Sequence, residues 1–366
     1  MNPSPYLLLT PGPVAVPPFV TEAISQQTMQ HHSQAFYDFY EAFLNKLKYL
    51  FQTEQTSLAM IGNGSMGMEA LISSLFRGQD KILVVSMGKF SKRWANYVRL
   101  LGLQLLEIET DWGKTVSPEQ ILQTLEKEAD VKGMILTHCE TSTGALLDIE
   151  EIVFAVKQKY PSILAVVDAI SSVGALPFYF DDWKIDAAVV AAQKALMNPT
   201  GTCYFALSEQ VVAHLQASDA GDARNLYNYY HAAQKNAYPY SPPVQLFYGV
   251  NAILDYIISK ELPVIWNETL AASHTFKKFV LANKGLIWSE LPSDSLTAFS
   301  FPDQNMTQLK AACIANGVEM SGGQDHWKGK IMRISHLGLY DTSVIAKAME
   351  VILATVHTKK AEKTIN

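Results

Sequence analysis

Between Ser57 and Lys194, short apolar runs alternate with longer stretches whose apolar residues recur at three- and four-residue spacing. The runs Ser57 to Ile61, Lys81 to Val85, Gln104 to Ile108, Gly133 to Thr137, Ser162 to Asp168 and Asp186 to Ala192 predict buried strands, because they are short and rich in aliphatic residues. Met66 to Phe76, Lys92 to Leu101 and Glu150 to Tyr160 predict helices. Ser117-Pro118 opens another, with a capping hydroxyl and a proline in the first turn. This alternation gives an α/β fold, a mostly parallel sheet covered by helices on both faces.

The rhythm changes toward both ends. Leu9 to Pro18 holds too many prolines for a regular element, so residues 1–20 are expected to form an extended arm. Aromatic and leucine residues at helical spacing predict a helix from Phe36 to Phe51. Ser218 to Tyr248 is crowded with Tyr, Asn and Pro and predicts a long irregular segment of functional or interfacial use. A long helix is expected from about Val244. Beyond Glu261 the pattern loosens, with strands at Thr297 to Phe301 and Lys330 to Ser335 and a helix at Gln308 to Asn316. The expected organisation is an arm (1–20), a large α/β domain (21–258) and a smaller C-terminal α+β domain (259–366).

Composition narrows the class. The 366 residues are 48% hydrophobic and 17% charged, an ordinary globular mixture, and the net charge of −6 speaks against a nucleic-acid binder. The concentrated basic run, His357 to Lys363, reads as a frayed, solvated end. Cys139, Cys203 and Cys313 lie far apart with no CxxC spacing, which implies a reducing, cytoplasmic setting and no thiolate metal site. None of the nine histidines has paired metal-ligand spacing. The N-terminus lacks a basic start, and no apolar run is long enough to span a bilayer, so neither a signal peptide nor a membrane partner is expected.

Candidate chemistry sits where the strands stop. One strand ends on Asp168 and the next leads to Gln193-Lys194. Charges at the carboxyl ends of parallel strands lie where α/β proteins place ligands. An acid and a lysine side by side suit pyridoxal 5'-phosphate: the amine can capture the aldehyde and the acid can keep the pyridine nitrogen protonated. The bland alternative is two surface charges closing two strands. Gly62-Asn-Gly-Ser-Met-Gly67 is either a phosphate cradle, with Gly64, Ser65 and Met66 as amide donors, or a tight strand–helix turn. It fits GxGxxG, but Ser86 follows the next strand where a dinucleotide site wants an acid. Thr137-His-Cys-Glu-Thr-Ser-Thr-Gly144 offers hydroxyls to a ring substituent or caps a helix. Phe90 is either a ring that covers a planar cofactor or a core aromatic. Arg333 interrupts an apolar strand, as a clamp for a substrate carboxylate or as half of a structural ion pair.

In their order and spacing, Leu9-Thr-Pro-Gly-Pro13, Leu136-Thr-His-Cys-Glu-Thr-Ser-Thr-Gly144, Val167-Asp-Ala-Ile-Ser-Ser-Val-Gly174, Gln193-Lys-Ala-Leu196 and Arg333-Ile-Ser-His-Leu-Gly338 resemble the class V aminotransferases of the fold-type I pyridoxal-phosphate superfamily, above all the alanine–glyoxylate and serine–pyruvate branch. The resemblance spans nearly the whole chain. It implies a sheet of the seven-stranded type, with Lys194 as the cofactor-binding lysine and Asp168 as partner of the pyridine nitrogen. It also implies Phe90 on the ring, Thr141 beside the phenolic oxygen, Gln193 next to the lysine, and Gly64, Ser65 and Met66 on the phosphate. Tyr238 and Ser241 match positions that reach the phosphate from a second subunit, which implies a homodimer with a shared site. Arg333 would hold the substrate carboxylate, with Gly12 closing over it.

The implied reaction is ping-pong transamination between a small L-amino acid and a 2-oxo acid such as glyoxylate, pyruvate or 2-oxoglutarate. Relatives often carry His-Arg-Ser where this chain has His31-His32-Ser33. In the neighbouring phosphoserine aminotransferases that pair meets the substrate phosphate from the partner subunit, so His32 is a candidate anion contact and phosphoserine an alternative donor. A cysteine desulfurase would need a loop cysteine, absent from Met320 to Gln324, and a His in place of Gln193. A non-catalytic subunit of this fold would have no need to keep Lys194, Asp168 and Arg333 together.

Overall fold

The computed structural model describes residues 6–217, 221–339 and 342–364, with side chains as far as Val356. Its main sheet is built in chain order from β1 (Thr56–Ile61), β2 (Lys81–Ser86), β3 (Gln104–Glu109), β4 (Val131–Thr137), β5 (Leu164–Asp168), β6 (Ala187–Ala191) and β7 (Thr202–Leu207). Across the sheet the order is β1-β7-β6-β5-β4-β2-β3. The pairs from β6 to β3 are parallel, while β7 runs antiparallel to both β1 and β6.

Alternation of strand and helix predicts six of these strands and misses β7. The short connection over residues 192–201 holds no helix, so it cannot carry the chain back across the sheet for a parallel pairing. The strand it leads into therefore pairs antiparallel. β5 and β6 are buried along their whole length, which explains why β6 and the part of β5 before Asp168 contain only aliphatic residues.

A second sheet of four strands, β8 (Leu286–Ile287), β9 (Leu296–Ser300), β10 (Ser321–Gly322) and β11 (Met332–Ser335), has the order β8-β9-β11-β10 and is antiparallel throughout. Helices Leu262–Ala282, Met306–Ala315 and Thr342–Thr364 accompany it. Phe276, Val280, Phe299, Leu309, Met332 and Ile352 form its core, separate from the core of the large sheet.

Three segments differ from expectation. The N-terminal segment is more ordered than an arm: Leu7–Leu8 pairs parallel with Val318–Glu319, Leu9 is buried in the smaller core, and Pro18 begins the helix Pro18–Ile24. Pro is tolerated there because the first helical N–H has no intrahelical acceptor. Within the supposedly irregular stretch, Leu226–Ala233 is a helix capped by Asn225, while residues 218–220 lie outside the described residues. The backbone of the basic C-terminal run belongs to the helix Thr342–Thr364, and its side chains lie outside the described residues.

Candidate active site

The carboxyl ends of β1, β2, β4, β5 and β6 open onto one cavity of about 290 Å³. Asn63, Gly64 and Ser65 follow β1; Phe90 and Trp94 lie on the helix Lys89–Leu100 after β2; Thr141 follows β4. Asp168, Ile170 and Ser171 come from the end of β5, Gln193 and Lys194 from the turn after β6, and Gly12 and Pro13 close the wall. Parallel register sets Asp168 between Thr137 and Val189, so the acid and the Lys194 turn leave the sheet as neighbours.

Asp168 is buried, and each of its oxygens accepts one hydrogen bond: Oδ1 from the Ile170 N–H (3.0 Å) and Oδ2 from the Trp94 indole N–H (2.9 Å). Burial pushes its carboxyl up to about 6, partly opposed by those two donors. Lys194 is buried too, and its Nζ donates to the Pro11 carbonyl. Burial pulls the ammonium down to about 8, and Arg333 pulls the same way, while Asp168 and Glu140 oppose. The chain thus holds a weakened acid and a weakened base against one space.

Gly12 is fixed by two constraints. Its φ of +117° belongs to the region that favours glycine, and a Cβ there would fall 2.6 Å from Lys194 Nζ. Gly64 and Gly67 owe their identity to packing: a Cβ on Gly64 would meet Ile170 at 2.6 Å, and one on Gly67 would meet Val189 at 2.8 Å. They let the helix Gly64–Leu75 lie tight on the sheet with its N-terminus at the cavity. Asn63 caps that helix by accepting from the Met66 N–H (3.1 Å). Met66 is therefore removed from the set of free amide donors, and Asn63 joins the cavity wall in its place.

Thr141 is buried with its hydroxyl against Ser171 Oγ (2.6 Å). Arg333 lies buried behind it in β11, outside the cavity wall; Nη1 donates to the Thr141 carbonyl (2.7 Å), and Nε and Nη2 donate to the Gly322 carbonyl (3.1 and 2.9 Å). Burial pulls its guanidinium down to about 10, with Glu140 opposing. No ion pair fixes Arg333 among the described residues, so the structural ion-pair alternative has no partner.

Tyr238 is packed within its own chain. It is 5% exposed, packs against Tyr40, Tyr229 and Phe247, and its hydroxyl accepts from the Ile61 N–H of its own chain (2.8 Å). Ser241, three residues on, is exposed. The His31 and His32 rings lie 4.2 Å apart, tilted by 49°, ahead of the helix Gln34–Phe51 and take no part in the cavity wall.

Three positions that shape the site escaped the sequence reading. Trp94 holds Asp168, and its spacing of four from Phe90 on one helix is the signal that could have found it. Glu140 is fully buried; it accepts from the Phe90 and Ser91 N–H groups (3.1 and 2.8 Å), from Ser91 Oγ (2.8 Å), and from the Ser142 N–H and Oγ (3.0 and 2.6 Å). It pins the start of the helix that carries Phe90 and Trp94. Arg93 on the same helix donates to Ser65 Oγ.

The Aminotransferase class-V family matches residues 11–344. The chain belongs to that family, whose members are pyridoxal-phosphate-dependent transferases, and it has the fold-type I architecture. It is 30% identical to an uncharacterized aminotransferase of Methanocaldococcus jannaschii over 91% of this chain and 88% of that one. It is 28% identical to the serine–glyoxylate aminotransferase of Methylorubrum extorquens, covering 90% and 86%. The solved aspartate aminotransferase of subgroup IV from Thermus thermophilus superposes with a TM-score of 0.89 at 28% identity, covering 95% and 99%. A phosphoserine aminotransferase from Cytophaga hutchinsonii, at 20% identity and a TM-score of 0.87, shares the fold alone.

Proposed function

We propose that the cavity holds pyridoxal 5'-phosphate and that the chain transfers an amino group between a small L-amino acid, of the alanine or serine type, and a 2-oxo acid such as glyoxylate, pyruvate or 2-oxoglutarate. The observation that carries this reading is the pair Lys194 and Asp168, a weakened base and a weakened acid, both buried against one cavity. The residues fit the cofactor. An aromatic face, a helix start and the buried Gln193 Oε1, which has no partner among the described residues, line the same space.

When bound, the cofactor supplies an aldehyde that amines capture and a ring that takes up electrons from the substrate α-carbon. Lys194, deprotonated above about 8, is the amine that holds it and then the base that moves the α-proton. Asp168, its plane fixed by Trp94 and Ile170, keeps lone pairs that would accept the N–H of the pyridine nitrogen. Phe90 and Thr141, both in the cavity wall, would hold the ring and its phenolic oxygen. The leading N–H groups at Gly64 and Ser65 hold the phosphate. Arg333 has five N–H donors; its three bonds to Gly322 and Thr141 leave a pair for the α-carboxylate that donor and acceptor share. One such site serves both half-reactions in turn, which gives a ping-pong order.

The serine–glyoxylate relative supports a small donor and glyoxylate as acceptor. Phosphoserine is disfavoured, because the phosphoserine enzyme is a likeness of fold alone and His31-His32 stands where relatives often carry His-Arg. We further assign the chain to the cytoplasm, on its three free, buried cysteines. We also assign it to a homodimer. Ile61, Met66 and Tyr240 stand 47%, 38% and 40% exposed around the segments that lead to the cradle, beside Ser241. The domain limits near residues 20 and 258 are part of the same reading.

The test is the visible spectrum of the cofactor-loaded protein, titrated separately with L-alanine, L-serine and L-phosphoserine. Loss of the cofactor band with alanine or serine is expected. Response to phosphoserine alone would overturn the small-donor assignment, and failure to take up the cofactor would overturn the whole reading.

A further inference from the structure

We infer that Arg93 is a ligand of the cofactor phosphate, the side-chain cation of a cradle otherwise made of backbone amides. The inference rests on the reading of the cavity as a pyridoxal-phosphate site. Phe90, Arg93 and Trp94 are spaced three and four residues apart on the helix Lys89–Leu100, so they share one face. Phe90 and Trp94 line the cavity. Arg93 projects from the side of Phe90 away from Trp94 and lines an adjoining cavity of about 330 Å³; its guanidinium carbon is 5.2 Å from the Phe90 ring centroid, and one N–H is donated to Ser65 Oγ, which belongs to the wall of the first cavity.

The other cations of this helix are neutralised. Lys89 pairs with Asp325, Lys92 with Glu107 and Glu109, and Arg99 with Glu107. Arg93 has no carboxylate within 4.0 Å among the described residues; its partners are a hydroxyl and an aromatic face. Ser65 stands in the first turn of the helix Gly64–Leu75, whose leading N–H groups carry the positive end of the helix dipole. A half-buried guanidinium and a helix N-terminus thus converge on one spot with no negative group between them. That arrangement is repulsive until an anion lies there, and a doubly charged phosphate satisfies both. Glu140 keeps the geometry fixed by holding the N–H groups of Phe90 and Ser91 at the start of the helix.

The test compares two ligands that differ only in the phosphate. Apoprotein is titrated with pyridoxal 5'-phosphate and with pyridoxal, following quenching of tryptophan fluorescence. Wild type is expected to prefer the phosphorylated ligand. Arg93→Gln should weaken pyridoxal 5'-phosphate roughly 10- to 100-fold and leave pyridoxal within about 2-fold; Arg93→Lys should retain part of the preference. Equal weakening of both ligands would make Arg93 a structural support of Phe90 and overturn the inference, as would an unchanged preference in Arg93→Gln. A wild type with no preference would instead remove the phosphate cradle itself, and with it the proposed function.

Discussion

The two sheets present charge in opposite ways. The large sheet releases its acid and its base where strands end, so Asp168 and Lys194 face open space and each keeps unused hydrogen-bonding capacity. The small sheet embeds Arg333 within β11, surrounded by backbone carbonyls that use three of its donors. Parallel strands are fully buried on both faces, so chemistry is confined to their ends. A short antiparallel strand can carry one long cation sideways beneath a neighbouring loop. In the proposed function, the difference separates reactive groups, which must move protons, from an orienting group, which must stay still.

Substitutions at the two kinds of position should split accordingly. The largest effect is expected at the strand ends. Lys194→Ala removes both amine and base, and single-turnover transamination should fall by roughly 10³-fold or more. The same change alters the pH dependence of apoprotein stability. Folded Lys194, near 8, lies below its ordinary value of 10.5, so the unfolded chain binds more protons between those values. Wild-type stability therefore gains as pH rises through that window, and Lys194→Ala should flatten the gain in denaturant titrations. An unflattened profile would assign the slope to another group.

Arg333→Gln should act on binding more than on chemistry. KM for the amino acid is expected to rise roughly 10- to 100-fold, with a smaller change in kcat. Because Arg333 lowers the Lys194 pKa, the substitution should also move the midpoint of aldehyde capture by apoprotein above about 8. A loss confined to kcat would place Arg333 among the reactive groups and dissolve the contrast.

The smallest effects concern the apolar rim. Tyr238→Phe should cost about 1 kcal/mol of stability, through the unpaired Ile61 N–H, and leave the sedimenting mass unchanged. Ile61→Glu should leave the fold intact and shift the mass from two chains to one. If both variants stay dimeric, the interface lies elsewhere on the chain.

Much of this was legible along the chain because β5 and β6 carry their own signature. A run of small and β-branched residues that stops at a charge reports both burial and the end of burial. Gly12 and Thr141 were readable from short strings, and the structure sets both in the cavity wall. The string around Tyr238 is compatible with an exposed or an inward ring; Tyr40, Tyr229 and Phe247, distant in sequence or on other helices, turn it inward. Met66 was misread because a glycine-rich turn does not reveal which amide its own Asn63 cap consumes.

What the sequence by itself determined is the alternation of elements, the strand-terminal Asp168 and Lys194, and the family strings that order them. These are local properties, set by burial period and by a few adjacent residues. Tertiary structure alone decided that β7 turns back antiparallel, that Arg333 is held by Gly322 and Thr141, that Glu140 anchors the Phe90 helix, and that Arg93 meets the start of another helix. Each of those facts joins segments far apart in the chain, and their partners are chosen by packing and hydrogen-bond satisfaction across the whole fold, which no local window contains.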